Sequence, residues 1–263
     1  MSVLVLLVLA MIAFGGTYTI EEHYYPGMSD SYGIMIQDNV ADRLWISDYW
    51  TGEFTEFDMT TGNATGNSWG CYLGPSDVTF CEYEAIENQY LLGHFDNNHI
   101  EIYDESTTGA SPYLNGFIEG PSGWEKIYGV AAGNDMIYVT TPLGGIIAWA
   151  DYTGVESSVS WTEANVYPVV GIALYGDYLF ACKAQQTPDN ILIYSINPDG
   201  SVDLDPIWSC QFDEAQYGPD GSIDFDGEYI WIHPEGGDLY KLSIDWAPSA
   251  LNRATWASIK SAF

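Results

Sequence analysis

Three of the four histidines in this chain fall in two short polar runs, G-H-F-D-N-N-H at 93–99 and H-P-E-G-G-D at 233–238. Imidazole titrates near neutral pH. His94, His99 and His233 are therefore candidates for general acid–base chemistry wherever a carboxylate converges on one of them. Four acids, Asp30, Asp77, Glu125 and Asp220, each stand within four residues after a proline. Two of them flanking a glycosidic bond would supply the acid and the base or nucleophile of sugar hydrolysis. That signal is diluted, because 37 acids in 263 residues put one in a seven-residue loop by composition alone. A further set suits recognition. Tyr49, Trp50, Trp124 and Tyr167 offer flat apolar surface with a polar tip, and Asp48, Asp96 and Lys183 lie in the same kinds of loop. None of these sets is contiguous, so any chemistry depends on a fold that gathers loops far apart in the chain.

A repeat supplies such a fold. Prolines at 26, 75, 121, 168 and 219 are separated by 49, 46, 47 and 51 residues. After each comes a short apolar stretch, such as Gly33-Ile34-Met35 or Gly129-Val130-Ala131. A stronger apolar run follows, such as Leu44-Trp45-Ile46 or Ile230-Trp231-Ile232. The third column is the most regular: its last residues, Phe57, Tyr103, Trp149, Tyr194 and Leu242, are spaced 46, 46, 45 and 48. A weaker fourth column carries Trp69, Phe117, Trp161 and Trp208. The β-branched and aromatic content of these columns fits strands, and four strands per 40–50 residues is the pattern of a β-propeller blade.

The columns predict an all-β chain folded as a single five-bladed β-propeller over 17–247. There are five copies of the first three strands and four of the fourth. The missing strand is supplied by T-Y-T-I-E-E-H-Y-Y at 17–25, so the last blade is closed by the N-terminal strand. A six-bladed ring, with a weak blade hidden in 106–124 or 155–166, is the alternative. The run D-R-L-W-I-S-D-Y-W-T-G-E-F-T-E-F-D-M-T-T-G at 42–62 resembles blades of secreted bacterial propellers of the NHL, YVTN and streptogramin-lyase-like group. In those blades a D-x-L-W-I strand leads to an F/Y-D-x-x-T-G turn. The resemblance implies the architecture and no particular activity, since the group mixes enzymes and binding modules. It also implies that the loops entering the first strand of each blade and those joining the second to the third share one face around the central channel. Every candidate residue named above would lie on that face.

Charge narrows the partners. Only 6 Lys and Arg oppose the 37 acids, a formal charge of −31 that repels nucleic-acid phosphates and anionic membranes. Val3 to Phe14 is an unbroken apolar run of twelve residues, too short to span a bilayer and suited to the core of a signal peptide ending near residue 16. No transmembrane span is expected in the mature chain, which reads as secreted or held at the cell surface. In that compartment a disulfide is permitted, and Cys182–Cys210, on two strands of one blade, is the expected pair. Residues 248–263 are basic and read as a short helical tail. No P-loop, HExxH, GxGxxG or nucleophile elbow occurs, so no cofactor is expected. Ca²⁺ is a candidate at the oxygen-rich runs 197–205 and 219–227, neither of which follows the EF-hand pattern. The expected function is a non-catalytic module binding a glycan or a protein through the loop-rich face. A glycoside hydrolase using Asp30, Asp77, Glu125 or Asp220, or a lyase using His94 or His233, is the alternative. The sequence does not specify an oligomeric state.

Overall fold

The computed structural model describes residues 15–28, 31–37, 42–71, 78–84, 88–94, 98–105, 111–141, 145–152, 159–166, 169–183, 189–215, 219, 221–234 and 237–246. Strand β1 (Tyr18–Tyr24) comes first. Blade one follows as β2 (Ser31–Ile36), β3 (Arg43–Asp48), β4 (Glu53–Asp58) and β5 (Ala64–Gly70), and blade two as β6 (Val78–Glu84), β7 (Gln89–His94), β8 (His99–Asp104) and β9 (Tyr113–Glu119). Blade three is β10 (Gly129–Gly133), β11 (Met136–Thr141), β12 (Ile146–Asp151) and β13 (Thr162–Asn165). Blade four is β14 (Val169–Tyr175), β15 (Tyr178–Lys183), β16 (Ile191–Ser195) and β17 (Trp208–Cys210). Blade five is β18 (Gly221–Phe225), β19 (Ile230–Pro234) and β20 (Leu239–Ile244), with β1 as its fourth strand. Among the described residues there is no helix, and so none long and apolar enough to cross a membrane.

The first strands β2, β6, β10, β14 and β18 touch in turn, and β18 touches β2, closing a ring of five. Among the described residues, the stretches 106–124 and 155–166, where a sixth blade was the alternative, contribute only β9 and β13, fourth strands of blades two and three. β1 runs antiparallel to β20 from Tyr18↔Ile244 to Tyr24↔Leu239, with an irregularity between Ile20 and Glu22. Pro26, Pro121 and Pro219 lie in the crossings between blades, where no ladder donor is required. Pro75 and Pro168 lie outside the described residues.

Period-two alternation explains why the inner strands read as continuous apolar runs. Each blade is covered on both faces, so successive side chains enter different interfaces. Leu91 packs between blades two and three while Leu92 packs between one and two. Leu179 faces blade three and Phe180 faces blade five. Five apolar clusters result, one at each blade–blade contact. The fourth strands are more exposed, and β1 and β9 alternate, with one face in solvent. That half-exposure is why the fourth column was the weakest in the sequence. Trp161 falls one residue ahead of β13, and its indole N–H donates to the Glu119 carbonyl at 2.9 Å, tying blade three to blade two.

Blade one builds the same turn twice, at opposite ends of β4. In D-Y-W-T-G, Asp48 Oδ1 accepts from the Trp50 and Thr51 amides at 3.0 and 2.8 Å and from Thr51 Oγ1 at 2.9 Å. In D-M-T-T-G, Asp58 Oδ1 does the same with Thr60 and Thr61. Gly52 (φ 64°) and Gly62 (φ 67°) complete the turns in the left-handed region that other residues enter only with strain.

One sequence expectation is corrected. Cys182 and Cys210 are not joined. Ile191 of β16 pairs with Cys182 on one side and with Cys210 on the other, so a whole strand separates them. Two strand spacings amount to about 9.5 Å, beyond the ~7 Å Cα limit for a disulfide. Both thiols are buried. The expected signal segment 1–16, apart from Gly15 and Gly16, and the expected tail 248–263 lie outside the described residues.

Two outcomes are expected. Peptide mapping of unreduced, alkylated protein finds no fragment linking Cys182 to Cys210. A chain starting at Tyr25, which leaves the edge of β20 bare, melts roughly 10 °C lower or aggregates. An unchanged melting temperature would show that β1 is dispensable to the ring.

Candidate functional site

The loop-rich face gathers three groupings. The most exposed is built on the Asp48 turn. With its carboxylate committed to two amides and a hydroxyl, the turn is held rigidly and Trp50 is thrust outward, 59% exposed. Behind it, Tyr49 meets Trp50 edge-on at 5.0 Å between ring centroids, and Tyr32 of β2 leans on Tyr49 at 5.2 Å. Tyr25, 74% exposed, lies against His23 on the neighbouring blade, with ring centroids 4.5 Å apart. His23 in turn stacks on Tyr240 at 4.3 Å. Trp50, Tyr49 and Tyr32 form an apolar platform with polar edges, suited to stacking on a flat ligand face, and Tyr25, His23 and Tyr240 form a second cluster on blade five.

His233 forms the second grouping and is fully buried. Its Nδ1 lies 2.8 Å from the Asp238 carbonyl, which only accepts, so Nδ1 carries the proton. Its Nε2 then accepts from Ser31 Oγ at 2.6 Å, and Ser31 is buried too. Burial pushes the imidazole down to about 4, against a weaker opposing pull from the Asp238 carbonyl and carboxylate. Both ring nitrogens are engaged, Nδ1 within blade five and Nε2 in joining blade five to blade one. The pair has the composition of a base and a nucleophile, but no solvent-facing surface for a substrate.

The third grouping is at the β7–β8 hairpin. The register Gly93↔Ile100 carries His94 opposite His99, and Glu101, two residues further, shares their face. Leu92 and Tyr103, on that same face, pack against blade one. His94 is 1% exposed and Glu101 0%; His99 is half-buried. His94 Nε2 and Glu101 Oε2 are 3.3 Å apart, and Tyr103 donates its hydroxyl to Glu101 Oε2 at 2.7 Å. The His94–His99 rings are 5.2 Å apart between centroids, and Phe117 closes on His99 edge-on. Burial, and secondarily the neighbouring His94, push the His99 imidazole below its usual range.

The remaining candidates scatter. Lys183 is buried at the end of β15, where loss of water lowers its ammonium against the pull of Asp189. Trp124, expected to be exposed, is half-buried and packs on the cluster between blades two and three. Glu125 is exposed. Asp30, Asp77, Asp96, Tyr167 and Asp220 lie outside the described residues. In the oxygen-rich runs, Asp199 accepts from the Ser201 amide and hydroxyl, and Asp224 from the Ile36 and Phe225 amides. Tyr25, Tyr32 and Glu101 were not singled out in the sequence. Glu101 did carry a signal: it is a carboxylate inside an apolar strand column, two residues after His99.

With this geometry established, comparison with known proteins adds the fold. A crystal structure of glutaminyl cyclase from Myxococcus xanthus superposes with TM-score 0.60 at 10% identity, over 89% of this chain and 98% of that one. A PQQ-bound aldose sugar dehydrogenase from Streptomyces coelicolor gives TM-score 0.52 at 10% identity, over 88% and 98%. The architecture is a β-propeller. Virginiamycin B lyase from Staphylococcus aureus aligns at TM-score 0.47 and 18% identity, over 81% and 66%. No protein-family model matches the chain, and no curated protein does. Identities this low establish shared fold and nothing about activity.

His233 and His99 set a pH dependence. His233 titrates near 6.5 when unfolded and about 4 when folded, so below pH ~6.5 only the unfolded chain takes up its proton. Its contribution, on the order of 3 kcal/mol, is present above pH ~6.5 and is lost as pH falls toward 4. His99 acts in the same direction. Chemical denaturation across pH 4–8 should show stability falling over this window, and His233→Asn should lower stability at pH 7.5 while flattening the slope. A slope unchanged in that variant would remove His233 as its source.

Proposed function

We propose that this protein is a secreted, non-catalytic propeller that binds a glycan or a protein through its loop-rich face, with the Trp50 platform as the contact surface. The observation that carries this reading is Trp50 itself: a large aromatic side chain, 59% exposed, on a turn rigidified by Asp48 and braced by Tyr49 and Tyr32. Exposing an indole forgoes the stabilisation its burial would give, and fixing its direction gives up freedom that an ordinary surface residue keeps. Both features favour a ligand, because a pre-ordered aromatic loses little entropy on contact. A sugar ring presents an apolar C–H face to such a platform, while its hydroxyls meet the polar rim. The strong negative charge is compatible with a neutral glycan or with a basic protein partner, and works against anionic ligands. The commitment of both His233 nitrogens to buried hydrogen bonds, one of them across to blade one, supports a binding role over a His233-dependent lyase.

A glycan-array screen of the purified protein, read for both retention and product release, tests this. Binding without turnover is expected, weakened at least about tenfold by Trp50→Ala. Asp48→Ala, which loosens the turn and leaves the indole in place, should weaken it less. Turnover of a retained glycan would replace the module with a hydrolase. Binding indifferent to Trp50→Ala would remove the platform from the reading.

A further inference from the structure

Blade two holds a chemical inconsistency that the binding face does not explain. His94 and Glu101 are buried side by side between blades one and two, yet neither is fully satisfied. His94 Nε2, His99 Nε2 and Glu101 Oε1 are all inaccessible to water and have no hydrogen-bond partner among the described residues. The His94–Glu101 approach of 3.3 Å is close enough for an ion pair but lacks hydrogen-bond alignment. A buried pair without good geometry does not recover what desolvation costs, and each orphaned polar group is worth about 1–3 kcal/mol. Three such groups converging on one spot ask for a common partner.

We propose that His94, His99 and Glu101 bind a divalent transition-metal ion, Zn²⁺ foremost, at the blade one–blade two interface. Among the described residues this is where three such side chains bring ligating atoms within 4.8 Å of one another. Zn²⁺ bonds of about 2.0–2.1 Å place tetrahedral ligand atoms roughly 3.4 Å apart, and His94 Nε2 and Glu101 Oε2 are separated by 3.3 Å. The misalignment that spoils a direct hydrogen bond is what two lone pairs aimed at a third point require. Two imidazoles and one carboxylate select a borderline ion and disfavour Ca²⁺ and Mg²⁺, which take oxygen ligands. Tyr103 completes the arrangement: its 2.7 Å hydrogen bond to Glu101 fixes the carboxylate as outer-shell partners commonly do. Three protein ligands leave a coordination position open for water or a further ligand.

The local sequence makes this possible. In H-x₄-H-x-E, the two histidines bracket a hairpin and fall opposite each other across the ladder. The glutamate lies two residues on, on the same face. The site shares no residue with the Trp50 platform, so either stands or falls alone.

The test uses full-length, untagged protein treated with a chelator and dialysed into 0.15 M salt. Titration with Zn²⁺ against a chromophoric competitor should show one tight equivalent per chain that excess Mg²⁺ does not displace. Co²⁺ should give visible d–d bands of a low-coordinate site. His99→Gln, the substitution with least burial, should weaken Zn²⁺ by at least ~100-fold, and Tyr103→Phe by about tenfold. The folded state of each variant is checked by circular dichroism. Should His99→Gln not fold, Tyr103→Phe and the Co²⁺ spectrum of the parent protein still decide. Absence of a tight equivalent, or uptake that His99→Gln and Tyr103→Phe leave unchanged, as exposed carboxylates would produce, overturns the proposal.

Discussion

Pairing of β1 with β20 is the constraint on which the rest depends. A ring of blades has no ends, but a chain has two, and the fifth blade is completed only when the first strand returns to the last. The ladder from Tyr18↔Ile244 to Tyr24↔Leu239 is reinforced by side chains. Lys241 meets Glu22 at 3.6 Å, Tyr24 lies parallel to Trp231, and Asp245 accepts from both the Thr17 amide and the Trp208 indole. The bond to Trp208 carries the closure into blade four. His233, reaching across to Ser31, carries it into blade one. Loss of this pairing would expose an edge strand and release the geometry of every loop on the upper face.

Packing between blades decides how polar residues are used. Because both faces of a blade are covered, a polar side chain on an inner strand has nowhere to go except an interface. Most such groups are satisfied by bridging blades. Thr140 Oγ1 donates to the Val170 carbonyl, Tyr138 to the Gly200 carbonyl, and Asp224 accepts from the Ile36 amide. These bonds fix the rotation of one blade against the next, which apolar contact alone leaves soft. The β7–β8 hairpin departs from this rule, and that departure is what the metal-site proposal rests on.

The two proposed sites differ in how they are made. The Trp50 platform is local: a five-residue turn sets it, and nearly all of its support comes from blade one. The His94, His99 and Glu101 cluster is local in the chain, but its chemistry comes from burial against blade one. Imidazole and carboxylate exposed to water would have no need of one another; enclosed, they do.

The sequence by itself determined the number of blades, the order of strands within them and the strand that closes the ring. Each of these follows from short-range patterning: alternation of side chains, glycine where φ must be positive, and proline where no donor is required. It also held the Asp48 turn, since its hydrogen bonds span only three residues. The tertiary structure alone decided which way side chains face between blades, and hence their burial. Trp124 reads like Trp50 in the sequence but packs inward. His233 sits in a polar run yet is enclosed by Ser31 from 202 residues away. Cys182 and Cys210, plausible partners by position, are held apart by the strand between them. Burial and reach depend on neighbours brought together by ring closure, and those neighbours leave no local trace in the chain.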